Sequence, residues 1–406
     1  MALIVQKYGG TSVADTDRIR AVAARAVETA KQGNKVIIVV SAMSGETDKL
    51  TAFAHDITSR PDEREMDMLL SSGERITSSL TAMAITELGC GSISLTGRQV
   101  GIRTDSSHTK AMIESIGADR LKDALDENKI PVVAGFQGIN EFSDVTTLGR
   151  GGSDTTAVAI AAALNADACE IYTDVEGVYT ADPRLVLDAR KMERISYDEM
   201  LEMASLGAKV LHGRAVELAK KYNVPLVVRS SFNNAPGTLV TKEDMDMEKI
   251  VVTGLAHNKN QARITIMGIP DRPGIAATIF DDIAKANLNV DMIVQNISVS
   301  DQATDLSFTV PEADSEKALE ITQKVSDKMN AKGVNMNKDV GKVSIVGVGM
   351  QSHFGVAARM FDTLSKNGIN IMMISTSEIK ISCVVDVGQV DAAVKALHES
   401  FELAKQ

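Results

Sequence analysis

An internal repeat in the last part of the chain restricts its possible folds more than any other sequence feature. Shifting the sequence by 81 residues without gaps aligns identical residues. The matched pairs are Gly268 and Gly349, Gly274 and Gly355, Ala276 and Ala357, Ala277 and Ala358, Phe280 and Phe361, Asp281 and Asp362, Lys285 and Lys366, Asn289 and Asn370, and Ile293 and Ile374. Each copy has the pattern strand, glycine turn, amphipathic helix, strand and strand, with second helices predicted at 314–329 and 390–403. The repeat therefore predicts two α+β modules in tandem.

The preceding 230 or so residues predict an α/β domain instead. Short β-branched runs alternate there with longer amphipathic segments, and the predicted strands are residues 3–6, 35–40, 92–95, 131–135, 170–173 and 225–229. The first intervening helix should begin at Asp15 or Thr16 and stop at Gly33. This alternation predicts a mostly parallel sheet sandwiched by helices.

The length of 406 residues, 44% of them hydrophobic, allows about three domains at roughly 150 residues each. Residues 233–249 are rich in Asn, Asp, Glu, Met and Lys and form the predicted linker. We therefore predict a catalytic domain at 1–232 and modules at 262–341 and 342–406. The second repeat reaches Gln406 before a fourth strand could form, so a strand at 250–260 is expected to complete that module.

Composition argues against several classes of partner. The formal net charge of -11 disfavours nucleic acid and anionic membranes, which would repel the chain. Apolar runs such as 36–40 fall far short of the roughly 20 residues of a membrane span, and residues 1–5 are too short for a signal-peptide core. Cys90, Cys169 and Cys383 are isolated, which fits a reducing cytoplasm better than a disulfide framework or zinc site. None of the six scattered histidines is assigned to a metal.

Two glycine-rich turns are candidate phosphate sites. Residues 7–12, Lys-Tyr-Gly-Gly-Thr-Ser, join the first strand to the first helix, and residues 149–156, Gly-Arg-Gly-Gly-Ser-Asp-Thr-Thr, open another helix. Small residues at such positions let backbone N–H groups approach phosphate. The alternatives are a tight turn with a solvated Lys7 and simple helix capping by Ser153 or Asp154.

Two further segments carry polar groups at positions where α/β proteins bind ligands. Ser-Gly-Glu at 72–74 opens a helix, where Glu74 either binds an ammonium group or only complements the helix dipole. Residues 173–184 leave a predicted parallel strand at its carboxyl end, where ligands bind, although their composition alone indicates only a loop. The chain contains neither a Walker A sequence nor the protein-kinase motifs, so any nucleotide site follows another scheme.

Taken together, these motifs resemble those of the aspartokinases, members of the amino acid kinase family. The resemblance runs through residues 7–12, Ser-Ala-Met-Ser-Gly-Glu-Thr-Asp at 41–48, residues 72–74, 149–154 and Thr-Asp-Val-Glu-Gly-Val-Tyr at 173–179. It covers essentially the whole chain, because the repeat is similar to the paired ACT domains of that family. It implies transfer of the γ-phosphate of ATP, with Mg²⁺, to the β-carboxylate of L-aspartate, the first step of lysine, threonine and methionine biosynthesis.

The resemblance also implies roles for individual residues. Lys7 would contact the transferring phosphate with Gly9 and Gly10 beside it, and Asp154 would be the catalytic aspartate. Substrate-binding positions would be Ser41, Thr47, Glu74 at the α-ammonium, Arg150 at the α-carboxylate, Gly151, Gly152 and Ser153. Nucleotide-binding positions would be Thr173, Asp174, Tyr179, Arg184 and Lys209. An aspartate acceptor, with a pKa of about 3.9, is already ionised, so we expect Asp154 to organise Lys7 or Mg²⁺ rather than act as a base.

Regulation by lysine, threonine or both is implied as well. The effector positions would be Asp271, Gly274, Ile275, Ala276, Asn289, Val290, Asp291, Gln295, Val356, Ala357, Asn370 and Ile371, although Asn370 equally fits ordinary turn chemistry. Assembly as a homodimer through the ACT domains or a higher oligomer is expected. A smaller subunit started internally at Met245 or Met247 is an open alternative.

Other functions explain the sequence less well. A glutamate or acetylglutamate kinase would not account for the sensing repeat joined to the motifs at 72–74 and 150–154. A non-catalytic sensor should have lost phosphate or substrate groups, and none of the expected positions is lost. A fusion to homoserine dehydrogenase would need further chain after the repeat.

Overall fold

The computed structural model describes residues 1–207, 210–243, 250–297 and 303–405. The described residues form two compact units. The first comprises Met1–Val178, Lys191–Ser205 and the described part of Lys209–Met247, and the second comprises Tyr179–Arg190 and the described parts of Leu206–Ala208 and Glu248–Gln406. The segment Tyr179–Arg190, which the sequence analysis included in 1–232, thus packs with the second unit.

The first unit is built on an eight-stranded sheet, in the spatial order β10-β12-β11-β9-β1-β2-β6-β3. Its strands are β1 (Leu3–Tyr8), β2 (Lys35–Val40), β3 (Ser92–Leu95), β6 (Ile130–Ala134), β9 (Ala168–Thr173), β10 (Arg194–Ser196), β11 (Leu226–Ser230) and β12 (Thr238–Thr241). All six predicted strands are present and run parallel to one another, whereas the additional strand β12 runs antiparallel to β11. The mostly parallel sheet is therefore confirmed.

A four-stranded sheet in the same unit was not predicted. It has the order β5-β4-β7-β8 and consists of β4 (Ile102–Thr104), β5 (Ile113–Ile116), β7 (Gln137–Ile139) and β8 (Val145–Thr147). These strands are three or four residues long, too short to show a reliable hydrophobic period. They matter because β8 leads directly into the second glycine-rich turn.

The helices of the first unit are α1 (Thr16–Lys31), α2 (Glu46–Ile57), α3 (Glu63–Leu70), α4 (Ser72–Glu87), α5 (Gly97–Val100), α6 (Asp119–Asp126), α7 (Gly152–Ala163), α8 (Tyr197–Ser205) and α9 (Gly213–Tyr222). Helix α1 begins as predicted, because the Asp15 side chain accepts a hydrogen bond from the Arg18 N–H at 2.9 Å. Its buried face, which includes Ile19, Val22 and Ala23, joins a core with β1, β2 and α4. No helix in the described part of the chain is both long enough and apolar enough to span a bilayer.

The second unit carries a six-stranded antiparallel sheet, ordered β14-β15-β13-β16-β18-β17. Its strands are β13 (Gly254–Pro270), β14 (Ile293–Ile297), β15 (Ala303–Pro311), β16 (Gly333–Val346), β17 (Met373–Thr376) and β18 (Lys380–Asp386), and its helices are α10 (Ile275–Lys285), α11 (Ser315–Lys328), α12 (Val356–Lys366) and α13 (Val390–Ser400). The repeated glycines Gly274 and Gly355 precede α10 and α12 with φ of +91° and +87°. Both copies thus use glycine for the left-handed residue before the helix.

The strand expected at 250–260 begins instead at Gly254 and continues without interruption to Pro270. Its first part pairs with the end of β16 from Gly254 opposite Val346 to Asn258 opposite Lys342, and its later part pairs with the beginning of β16. The helices of the two repeats pack over separate apolar cores, one around Phe308 and the other around Met360. The segment Tyr179–Arg190 contributes Ala181 and Val186 to the core around Met360.

Candidate active site

The carboxyl ends of the adjacent strands β9, β1 and β2 meet at the first glycine-rich turn. The Gly9 N–H donates to the Tyr172 carbonyl of β9 at 3.2 Å, and a Cβ on Gly10 would lie 3.1 Å from the Ala42 carbonyl that follows β2. A side chain at residue 10 would therefore crowd the backbone. This is the edge at which parallel α/β sheets bind ligands.

Lys7 and Asp154 form an ion pair at this edge. The Lys7 Nζ lies 2.5 Å from Asp154 Oδ1, and the two side chains are only 11% and 13% exposed. A Cβ on Gly9 would lie 3.5 Å from the same Nζ, so the ammonium stands beside the glycine turn. The pair brings together the two residues predicted to be catalytic.

Helix α7 supplies Asp154 in its first turn. Gly151 precedes the helix with φ +70°, and neither Ser153 nor Asp154 makes a side-chain capping hydrogen bond, so the simple capping interpretation is wrong. A Cβ on Gly152 would lie 2.8 Å from Phe136 Cδ2, and one on Gly135 would lie 2.9 Å from Ser153 Cβ. These close contacts hold the helix start against the end of β6.

Glu74 is buried in the first turn of α4, with only 4% of its surface exposed. Its Oε1 accepts a hydrogen bond from the Ala42 N–H at 3.1 Å, while Oε2 has no partner within the described protein. A Cβ on Gly73 would lie 2.7 Å from Ala42 Cβ, so glycine permits this approach. Burial raises the pKa of Glu74 to about 7, although the Ala42 hydrogen bond acts in the opposite direction. A carboxylate oxygen left unpaired in such a place is suited to a cationic ligand.

The remaining predicted substrate residues are spread along the same segments. Ser41 follows β2 and is half-buried, and its N–H donates to the Tyr8 carbonyl at 3.1 Å. Thr47 is half-buried in the first turn of α2. Arg150 is exposed, between Gly149 and Gly151 at φ +74° and +70°. Its side chain thus lies at the surface, in the turn that leads into α7.

The predicted nucleotide residues divide between the two units. Thr173 ends β9, its hydroxyl donates to Asp174 Oδ1 at 3.1 Å, and Asp174 is exposed. Tyr179 and Arg184 belong to the second unit, where Arg184 forms an ion pair with Asp182 at 2.7 Å. Lys209 lies outside the described residues. The nucleotide assignments therefore remain predictions.

The predicted effector residues lie in corresponding places in the two repeats. Asp271, Gly274 and Ala276 are exposed around the start of α10, and Asn289, Asp291 and Gln295 are exposed at or just before β14. Val290 is half-buried, and so are Ala357 and Ile371 of the second repeat, whereas Asn370 is exposed. Ile275 and Val356 instead point into the two apolar cores, so their side chains serve packing. Asp291 pairs with the buried Lys342.

Sequence analysis did not single out Asp67, a fully buried carboxylate in α3. Its partners include His108, one of the six histidines that were not assigned to a metal. The available signal was the position of Asp67 within the apolar run Met-Asp-Met-Leu-Leu at 66–70. A carboxylate on the apolar side of a short helix needs specific partners to remain buried.

Comparison with known proteins defines the class of this fold. The profile of the Amino acid kinase family matches residues 2–230, and that of the ACT domain matches residues 264–324 and 343–401. The chain is 53% identical to an aspartokinase of Corynebacterium glutamicum and 52% identical to one of Pseudomonas aeruginosa. These alignments cover 99% of this chain and 97% and 98% of the two relatives.

Solved structures agree with these matches. The crystal structure of E. coli aspartokinase III in complex with aspartate and ADP has a TM-score of 0.83 at 26% identity, covering 98% of this chain and 99% of that one. The same enzyme in complex with lysine and aspartate has a TM-score of 0.78, covering the same shares. The fold is thus that of an amino acid kinase followed by ACT domains. Within that class, the chain belongs to the aspartokinases, and it is a phosphotransferase.

Proposed function

We propose that this chain transfers the γ-phosphoryl group of ATP to the β-carboxylate of L-aspartate. A β-carboxylate oxygen forms a bond to the γ-phosphorus, the bond from that phosphorus to the β–γ bridging oxygen breaks, and the products are ADP and 4-phospho-L-aspartate. The aspartokinase relatives, and an E. coli neighbour in complex with aspartate and ADP, support this choice of substrates.

One arrangement of residues carries the proposal. Asp154 pairs with Lys7, Lys7 stands beside Gly9, Gly10 approaches the Ala42 carbonyl, and the Ala42 N–H is bound by Glu74. Continuous contacts thereby link the Lys7 ammonium, a cation for phosphate, to the unpaired Glu74 oxygen, an acceptor for an ammonium group. We assign Lys7 to the transferring phosphate and Glu74 to the α-ammonium of aspartate.

Charge is the main obstacle to this reaction. The acceptor carboxylate and the phosphates repel each other by about 4 kcal/mol per close pair near 4 Å at an effective dielectric constant of 20. No base is required, because the acceptor is already ionised at neutral pH. Lys7 and the N-terminus of α7 offset the repulsion, and Asp154 holds the Lys7 ammonium in place.

For the nucleotide we propose the edge that follows β9, with Thr173 and Asp174, together with Tyr179, Arg184 and Lys209. Bound Mg²⁺ would supply further positive charge at the phosphates. No group of three or more His, Cys, Asp and Glu residues suited to a metal occurs in the described ranges. Ser41, Thr47, Gly151, Gly152 and Ser153 complete the proposed aspartate and phosphate site.

Replacing Arg150 by alanine tests the aspartate site. We expect the KM for aspartate to rise about 100-fold, because a bidentate charge-assisted contact to the α-carboxylate is lost, while the KM for ATP changes little. A coupled ADP-release assay with varied aspartate measures this. Arg120, exposed on α6, provides the matched arginine-to-alanine control. An unchanged aspartate KM would contradict the assignment, and L-glutamate or N-acetyl-L-glutamate as the better substrate would contradict the proposed reaction.

We further propose that the second unit senses amino-acid end products at the effector positions of the two repeats. An E. coli neighbour with lysine bound in a T-state supports lysine as one effector, and threonine is the second candidate. We expect lysine, threonine or the pair to inhibit, which the same assay with each and with both will measure. An effector acts only if it binds the less active state more tightly. Activity insensitive to either amino acid and to the pair would refute the regulatory role.

Domain division and assembly complete the proposal. The profile matches and the separate apolar cores support a kinase domain followed by two ACT modules, with the first part of β13 belonging to the second module. We propose assembly as a homodimer through these modules or as a higher oligomer. The candidate internal starts, Met245 and Met247, lie outside the described residues.

A further inference from the structure

The buried carboxylate of Asp67 joins three segments of the first unit. Its side chain is fully buried, and Oδ1 accepts a hydrogen bond from the Thr147 hydroxyl at 2.5 Å. The Thr109 N–H lies 3.0 and 3.1 Å from the two carboxylate oxygens, and His108 Nδ1 lies 2.7 Å from Oδ2. Donors thus surround both oxygens, which is what a buried carboxylate requires.

These segments lead to both proposed anchors of aspartate. The Asp67 carbonyl accepts from the Ser71 N–H at 3.0 Å, and Ser71 leads into α4 and Glu74. Thr147 ends β8, three residues before Arg150. The Asp67 carboxylate therefore connects the segment that leads into α4 and Glu74 with strand β8, which leads to Arg150.

A side chain from α9 also contacts the backbone at the start of the turn that carries Arg150. Arg214 donates from Nη1 to the Leu148 carbonyl at 2.8 Å and from Nη2 to the Ala111 carbonyl at 2.7 Å. At Gly149 the backbone approach is so close that a Cβ would lie 3.0 Å from the Thr109 carbonyl. The turn that carries Arg150 is therefore held by the hydrogen bond from Arg214 to the Leu148 carbonyl and lies close to the backbone of Thr109.

We propose that Asp67 and Thr147 are positioning residues that fix the spacing between Glu74 and Arg150, an inference that rests on the proposed function. The α-ammonium and α-carboxylate of an amino acid share one carbon, so the two groups that bind them must keep a fixed separation. Neither Asp67 nor Thr147 touches the substrate in this scheme. A displacement of about 1 Å in either anchor is enough to reduce catalysis by up to about 100-fold.

The test compares Thr147→Val with Thr147→Ser. Valine keeps the shape of threonine but removes the hydroxyl donor to Asp67, whereas serine restores it. We expect the aspartate KM of Thr147→Val to rise about tenfold with the ATP KM nearly unchanged, and Thr147→Ser to recover most of the loss. Asp67→Asn places an amide N–H group among hydrogen-bond donors that need an acceptor. This variant should raise the aspartate KM at least as much.

Thr322→Val provides the control for simple destabilisation. Thr322 is fully buried in α11 of the second unit, and its hydroxyl donates to the Ala318 carbonyl at 2.6 Å. This variant should lose thermal stability without changing either KM. Thermal unfolding of all variants separates folding from binding.

The outcomes are distinguishable. A Thr147→Val enzyme with wild-type aspartate KM, an equal rise in both KM values, or failure of serine to rescue would each overturn the positioning role. If Arg150→Ala also leaves the aspartate KM unchanged, the proposed aspartate site is itself wrong and the inference falls with it. If Arg150→Ala raises that KM and Thr147→Val does not, only the positioning role is lost.

Discussion

Replacing Lys7 by alanine is expected to lower kcat by about 100- to 1000-fold, the range typical for removing one preorganised group that stabilises transition-state charge. The Lys7 ammonium lies beside the glycine turn, where it is held 2.5 Å from Asp154 Oδ1. Without it, less positive charge offsets the repulsion between the acceptor carboxylate and the phosphates. Steady-state kinetics with both substrates at saturation measure the effect.

The same substitution leaves Asp154 as a largely buried carboxylate without its cation, which should reduce stability. The double variant Lys7→Ala with Asp154→Asn is therefore needed, since it should regain stability without regaining activity. Lys35→Ala is the matched control. Lys35 begins the neighbouring strand β2, at the amino ends of the parallel strands, and pairs with the exposed Asp126 at 3.0 Å. A Lys7→Ala enzyme within tenfold of the wild-type kcat would contradict the phosphate role.

Hydrophobic periodicity was enough to predict six of the eight strands in the large sheet of the first unit, and matching the sequence to itself at a shift of 81 residues revealed both repeats of the second. Strands such as β2 combine β-branched composition with a buried position, and α1 carries both an N-cap and an apolar stripe. Local signals and tertiary packing agree at these places, so the sequence alone is informative. The glycine turns were equally readable, because their composition reflects close backbone contacts.

Tertiary packing decided the features that the sequence did not reveal. The segment Tyr179–Arg190 has a loop-like composition, yet Ala181 and Val186 are buried in a core of the second unit. Strand β13 runs through the predicted boundary near residue 260, because β16 pairs with it on both sides of that point. Likewise, the partners of Asp67 lie about 40 and 80 residues away, at Thr109 and Thr147. No local pattern encodes such pairings.

The position of Glu74 in α4 left two interpretations open. Its carboxylate either complements the helix dipole or binds an ammonium group. A dipole role would be served by an exposed carboxylate, which costs little to ionise. Burial instead raises the pKa of Glu74 to about 7, so its charged form is disfavoured in the folded enzyme without ligand. A site that destabilises its own carboxylate is better explained by a cationic ligand that lowers the pKa again.

Replacing Glu74 by glutamine should therefore change stability and binding in opposite directions. Because the folded pKa is about 7 and the ordinary value is 4.5, the wild-type contribution of Glu74 to stability is fully present below pH 4.5 and is lost as pH rises through 7. Glutamine does not ionise, so the variant should become more stable than the wild type with rising pH, by about 3 kcal/mol near pH 8. Denaturant unfolding at pH 5 and pH 8 measures this difference.

Aspartate binding should weaken in the same variant, with the KM rising about 100-fold because the ammonium group loses its charged partner. In the wild type, the aspartate KM should fall as pH rises toward 7 and level off above it, since only ionised Glu74 binds the ammonium; in the variant this dependence should disappear. Glu199→Gln is the matched control, because Glu199 is equally buried but accepts two hydrogen bonds from Ser196, at 3.1 and 2.8 Å. Its replacement should reduce stability and leave the aspartate KM unchanged. A Glu74→Gln enzyme that is less stable at pH 8 and binds aspartate normally would show that Glu74 serves the fold alone.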